Sequence, residues 1–133
     1  MEGSNLAGLT ISNAMTTAVH AVSYPMTVFF HVPHGLACSL LLPPVIRYNA
    51  GAMNRDKEQR LLHSLGLNSM NDLAETVEHL QNKLELPVRL RDLGLTKNHI
   101  SKIVENGFRP DRMGNNPREI AAVDLTALLE EIL

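Results

Sequence analysis

Along most of this chain apolar residues recur at the three- and four-residue spacings of one helical face, and no stretch shows the strict alternation of a half-buried strand. That periodicity constrains the fold more than any other feature. From Leu6 to Val22, residues Ile11, Ala14, Met15, Ala18, Val19 and Val22 fall on one such face. Pro25 should end that helix, because proline disfavours helical geometry in the residue before it. Pro33 to Gly35 opens a second helix through LACSLLL, which Pro43 and Pro44 interrupt. The charged run NRDKEQR leads into LLHSLG, where Gly66 reads as the residue after a helix end. Ser69 and Asp72 form a capping-box pattern ahead of a core stripe of Leu73, Val77, Leu80 and Leu84 that stops before Pro87. Thr96 is the expected cap of a helix carrying Ile100, Ile103 and Val104, and Gly107 its stop. The segment FRPDRMGNNPRE is rich in turn formers, and Asp124 can cap a last helix, LTALLEEIL. The expected fold class is an all-α helical bundle, a single helical domain over residues 1–133.

Composition narrows the function classes. With 133 residues, 44% of them apolar, the chain can bury one ordinary core. A net charge of −2 gives no basic field to attract nucleic acid and no cationic face for a membrane surface. The longest apolar stretch, Leu36 to Ile46, is broken by Ser39 and by Pro43-Pro44, and is far short of the roughly 20 residues of a membrane span. The N-terminus, MEGSNLAGL, lacks the positive start of a secretory signal. The single cysteine, Cys38, excludes an internal disulfide and fits a reducing compartment. A cytoplasmic location is the expectation.

No G-x-S-x-G, phosphate loop or G-x-G-x-x-G occurs. The chemistry-bearing stretch is HAVSYPMTVFFHVPHG, residues 20–35, which sets His20 and His34 on either side of an apolar linker. Neutral imidazole is the commonest protein ligand for a divalent transition metal. A histidine near the end of one helix and another opening the next can converge on one ion. The spacing alone is not diagnostic, and a pair of core histidines bonded to backbone carbonyls would read the same way. Cys38 lies one helical turn after His34 on the same face, but an apolar setting suits an inert buried thiol. His31 is a lesser candidate. His63, His79 and His99 have charged neighbours and read as structural histidines.

The run from Ser4 to Asn49 resembles the metal-binding segment of the iron-containing (group III) alcohol dehydrogenases. It carries Ser12-Asn13-Ala14, then His20, Pro25, Pro33-His34-Gly35 and Leu42-Pro43, and Asn116-Pro117-Arg118 precedes the terminal helix. The resemblance covers essentially the whole chain. It implies a C-terminal, all-helical metal-binding domain that in the family faces an N-terminal domain holding NAD(P). It also implies Fe²⁺ or Zn²⁺ as Lewis acid for a small alcohol or aldehyde. His20 matches the third metal ligand of the family and His34 the fourth. The first two, an aspartate and a histidine, belong to an earlier helix for which these 133 residues have no counterpart. Tyr24 stands where the family commonly has a histidine near nicotinamide and substrate. A phenol with an ordinary pKa near 10 is a poor proton shuttle at neutral pH. Tyr24 therefore reads either as a substrate contact or as a helix-end aromatic bonded to backbone. Two ligands hold an ion weakly, so the chain is expected to be inactive alone and its metal weak or absent. Expected partners are a second copy or a complementary N-terminal chain. The alternative reading is a non-catalytic helical interaction module. A small helical metallohydrolase ranks last, because no carboxylate lies between His20 and His34.

Overall fold

The computed structural model describes residues 1–133 and contains helices, turns and no strand. In chain order the α-helices are α1 (Glu2–Asn13), α2 (Ala18–Phe30), α3 (His34–Tyr48), α4 (Arg55–Leu65), α5 (Met70–Lys83), α6 (Lys97–Gly107), α7 (Pro110–Met113) and α8 (Ala122–Glu131). A short 3₁₀ turn, Leu90–Leu93, joins α5 to α6. The core lies among α2, α3, α6 and α8, where Val22, Met26, Ile103 and Leu129 are almost wholly buried. No helix is long and apolar enough to cross a membrane.

The periodic stretch from Leu6 to Val22 is two helices rather than one. Ala14 and Thr17 are both extended, at φ −115°, ψ 128° and φ −113°, ψ −161°. Local polar bonds favour the break. The side chains of Ser12 and Asn13 both donate to Leu9 O, closing α1 on itself. Arg112 Nη1 donates to Thr16 Oγ1 at 2.9 Å and fixes the linker to α7. Helix α1 buries none of its residues, and Leu6, Leu9 and Ile11 are more than half exposed.

The prolines do not end helices here. Pro25 is buried in the middle of α2, which runs on to Phe30, and Pro43 and Pro44 are buried inside α3. An interior proline ordinarily costs about 3 kcal/mol, partly because the carbonyl four residues earlier loses its partner. For Pro43 that carbonyl is Ser39 O. Gln81 of α5 reaches it, its Nε2 donating to Ser39 O at 2.7 Å and to Ser39 Oγ at 2.9 Å. The same bonds dock α5 on α3, so the buried polar Gln81 explains the tolerated proline.

They also set which way α5 faces. Its inward side is Met70, Ala74 and Gln81, whereas Leu80 and Leu84 are 55% and 59% exposed. The expected core stripe is therefore split, with Leu73 and Val77 half-buried and its C-terminal half, Leu80 and Leu84, pointing outward. A bidentate ion pair at 2.6 and 2.7 Å between Arg47 and Glu78 secures the same helix pair.

Other local signals hold. Ser69 and Asp72 form a reciprocal capping box, and Gly66 closes α4 at φ 67°. Thr96 precedes α6, and its N–H donates to Nδ1 of His99. Asp124 sits in the first turn of α8 rather than at its cap, accepting from Ala121 N at 2.8 Å. Gly107 has a role beyond stopping α6. A Cβ there would lie 3.0 Å from Val22 Cα and 3.3 Å from Ala21 O and Pro25 Cγ, so glycine lets α6 lie directly on the backbone of α2. Buried Asn49 and Asn116 exchange amide hydrogen bonds at 3.1 and 2.7 Å, and Asn116 Nδ2 also reaches Arg118 O. The Asn116-Pro117-Arg118 turn is thereby tied to the end of α3.

Candidate functional site

His20 lies in the first turn of α2 and His34 is the first residue of α3. The chain between them reverses at His31. That residue adopts the left-handed conformation (φ 57°), and its N–H caps α2 on Thr27 O while Val32 N–H returns to Met26 O. The turn sends α3 back along α2. As a result the two imidazoles come together, ring centroids 5.5 Å apart. His31 itself stays exposed at the helix end, outside the cluster, and its place in the structure is the turn.

Cys38 joins them. One ligand atom each from His20, His34 and Cys38 can be chosen such that all three lie within 4.8 Å of one another. The thiol is half-buried rather than enclosed, with Sγ 3.7 Å from His34 Nε2. The i, i+4 spacing from His34 predicts this neighbour, and the structure brings the two side chains together.

Ser23, fully buried on α2, organises the group. Its hydroxyl hydrogen is used on His20 O at 2.8 Å. Ser23 Oγ must therefore act as acceptor toward His34 Nδ1 at 3.3 Å and toward Cys38 Sγ at 3.4 Å. This contact favours the tautomer that carries its proton on Nδ1, with Nε2 facing Cys38. Hydrogen bonding at one ring nitrogen that frees the other is how ligating histidines are commonly oriented. The pKa of His20 is held below 6.5, first by burial and then by the neighbouring charges of His34 and Arg112. The unprotonated form, the one that ligates, is favoured.

The donor set suits a divalent transition ion. Imidazole nitrogens and a thiolate bind such ions at about 2.0–2.3 Å, so a shared ion needs donors roughly 3–4 Å apart. The present separations are a small side-chain adjustment from that. His63, His79 and His99 do not enter the cluster. His99 instead packs its ring on Phe30 at 4.9 Å.

Tyr24 projects from the middle of α2, 55% exposed, and stacks on His34 with centroids 5.4 Å apart and planes 24° from parallel. It is not a helix-end residue; its ring makes the contact. On its other side opens a cleft of about 420 Å³ lined by Thr16, Ala21, Tyr24, Asn106, Arg109, Asp111 and Arg112. The arginines of this cleft lie in the 108–119 segment, where the turn formers dominate the sequence pattern and no motif marks a site.

Comparison with known proteins agrees with this architecture. The profile of the Fe-containing alcohol dehydrogenase family, C-terminal, matches residues 1–133. Lactaldehyde reductase of Escherichia coli K12 is 31% identical over 134 residues, an alignment covering 95% of this chain and 35% of that protein. Among solved structures, sulfoacetaldehyde reductase from Bifidobacterium kashiwanohense in complex with NAD⁺ matches with a TM-score of 0.79 and 30% identity, over 88% of this chain and 31% of that one. Alcohol dehydrogenase from Oenococcus oeni matches with a TM-score of 0.80 and 27% identity, over 96% and 35%. The chain thus spans about a third of the length of these relatives.

Proposed function

The chain belongs to the iron-containing alcohol dehydrogenase family, and from that premise we propose that its helices are the C-terminal part of a metal-binding domain serving NAD(P)-dependent interconversion of a small alcohol and its aldehyde. The observation that carries the reading is the convergence of His20 and His34 on one face of the α2–α3 hairpin. A divalent ion held there, Fe²⁺ or Zn²⁺, supplies a Lewis acid for the alcohol or carbonyl oxygen. Ser23 orients His34, and burial, with His34 and Arg112 nearby, lowers the pKa of His20 and so favours its unprotonated form. Tyr24, stacked on His34 and open to the cleft, stands beside the substrate and offers its ring as a wall and its hydroxyl as a hydrogen-bond donor.

Two of the four family ligands are supplied by these residues, and nicotinamide binding belongs to the family's other domain. We therefore expect the 133 residues by themselves to hold metal weakly and to turn over no alcohol or aldehyde. The test is metal binding by the purified chain, followed with Co²⁺ by absorption, alongside His20→Ala and His34→Ala. The expected result is weak binding in the natural chain and none in either variant. Equal binding by all three proteins would refute the assignment. Adding a separately purified N-terminal half with NAD(P) and Fe²⁺ or Zn²⁺ tests whether the two parts form a working enzyme.

A second reading has its own observation. With Leu6, Leu9 and Ile11 exposed on a helix that buries nothing, α1 offers an apolar face suited to pairing, with a second copy or with a complementary chain bearing the cofactor domain. Sedimentation of the chain as a clean monomer at high concentration would count against self-association.

A further inference from the structure

The cleft beside Tyr24 carries a feature that binding a neutral alcohol does not require. Two guanidiniums, Arg109 and Arg112, line it, and Asp111 is the one carboxylate in its wall. Arg112 is held in place. Its Nη1 donates to Thr16 Oγ1 at 2.9 Å and its Nε lies 3.5 Å from Asp111 Oδ2. A guanidinium has five N–H donors, so this leaves three unused, including both on Nη2. Arg109 has no carboxylate within ion-pair distance, since the chain's ion pairs are Arg47–Glu78, Lys97–Glu130 and Arg112–Asp111.

Fixing the Ala14–Thr17 linker accounts for Arg112 as a structural residue. It does not account for Arg109, placed on the same cleft with its charge uncompensated. The wall thus carries a net positive charge next to the face where His20, His34 and Tyr24 meet. Planar guanidinium forks suit small oxyanions such as carboxylate or sulfonate, which they bind with paired hydrogen bonds.

We propose that this cleft receives the anionic end of the substrate, a short aldehyde or alcohol bearing a sulfonate or carboxylate, gripped by Arg109 and Arg112 while its oxygen-bearing carbon is directed past Tyr24 toward His20 and His34. The assignment rests on the alcohol dehydrogenase reading of the same site. It names the substrate class that reading leaves open. Thr16 closes one side of the cleft, and Asp111 sets the fork of Arg112 rather than neutralising the site, because Arg109 remains.

The test is an amide NMR titration of the metal-free 133-residue chain with 2-hydroxyethanesulfonate, against propane-1,2-diol at matched ionic strength. The expected result is saturable shifts at the amides of Thr16, Tyr24 and Asn106 with the sulfonate and none with the diol. Arg109→Gln, which removes no ion pair within the chain, should weaken binding at least about threefold, and Arg109→Gln with Arg112→Gln should abolish it. Equal response to the diol, shifts that never saturate, or an unchanged Kd in Arg109→Gln would each overturn the proposal. Failure of the underlying reading shows separately, as Co²⁺ binding that ignores His20→Ala and His34→Ala.

Discussion

Replacing Gln81 with leucine tests how α3 carries two consecutive prolines. The amide of Gln81 donates at 2.7 Å to the carbonyl that Pro43 leaves without a partner and at 2.9 Å to the hydroxyl of the same serine. Leucine keeps the volume and removes both donors. A half-buried carbonyl left unsatisfied costs about 1–2 kcal/mol, and the lost hydroxyl bond about 0.5–1 kcal/mol. Gln81 is only 4% exposed, so the more apolar leucine returns about 1 kcal/mol by burial. The net expectation is a loss of about 0.5–2 kcal/mol. The decisive measurement is a cycle with Pro43→Ala, in which the alanine brings its own N–H to Ser39 O. In that background Gln81→Leu should cost about 1 kcal/mol less. Urea unfolding of the four proteins, followed by far-UV circular dichroism, gives the coupling. A coupling within about 0.5 kcal/mol of zero is the ordinary scatter of independent sites and would refute the idea that Gln81 substitutes for the missing amide.

Two further substitutions probe the supports of the same hairpin. Gly107→Ala drives a methyl to 3.0 Å from Val22 Cα, a backbone atom that cannot turn aside. Overpacking of about 1–3 kcal/mol outweighs the helix-propensity gain of at most about 1 kcal/mol, so unfolding experiments should show a loss. Gly35→Ala, with nothing within 4 Å of its Cβ, should be neutral or slightly stabilising, and equal stability of the two variants would mean that α6 does not lie this close to α2. For Glu78, hydrogen bonding by Arg47 holds the carboxyl pKa below 4.5. A depressed folded pKa means the contribution is complete above the unfolded value and is lost as pH falls below 4.5 through the folded value. Both side chains are about a third exposed, so Glu78→Gln should cost about 0.5–1 kcal/mol at neutral pH. Its stability difference from the natural chain should shrink in acid; a difference constant down to about pH 3 would exclude the ion pair as its source.

Where the information was local, the sequence was readable. The Ser69–Asp72 box and the left-handed Gly66 depend on residues within one turn of one another. The prolines misled because their cost depends on whether something distant satisfies the freed carbonyl, and Gln81 lies 42 residues from Ser39. The C-terminal half of the α5 stripe departs for a related reason. Leu80 and Leu84 have helical spacing, but the helix turns its Gln81 face inward to answer Pro43 and aligns Glu78 with Arg47. Periodicity gives a face; it does not say which of two faces finds a partner. At the site, His20 and His34 were legible as residues. The apolar neighbours of Cys38 suit an inert thiol as well as a ligand, and turn formers mask Arg109 and Arg112 in their segment.

The convergence of His20 and His34 is robust for a physical reason. His20, Ser23, Tyr24, His34 and Cys38 all belong to α2 and α3, a stretch of contiguous chain. Their meeting requires the reversal at His31 and the close seating of α2 and α3, and the buried faces of Ala18, Val22, Met26, Ala37 and Leu41 drive that seating. None of this depends on α1, which contributes nothing to the core. The cleft is different. Its two arginines stand at the start of α7 and within it, far along the chain from His34. They reach the site because Gly107 lets α6 close on α2 and because Thr16 anchors Arg112. Under the proposed function, the hairpin supplies the metal ligands and the later segment sets what the cleft accepts. A change at Arg109 should alter which molecules bind without moving the histidines, and a change at Gly107 should disturb both.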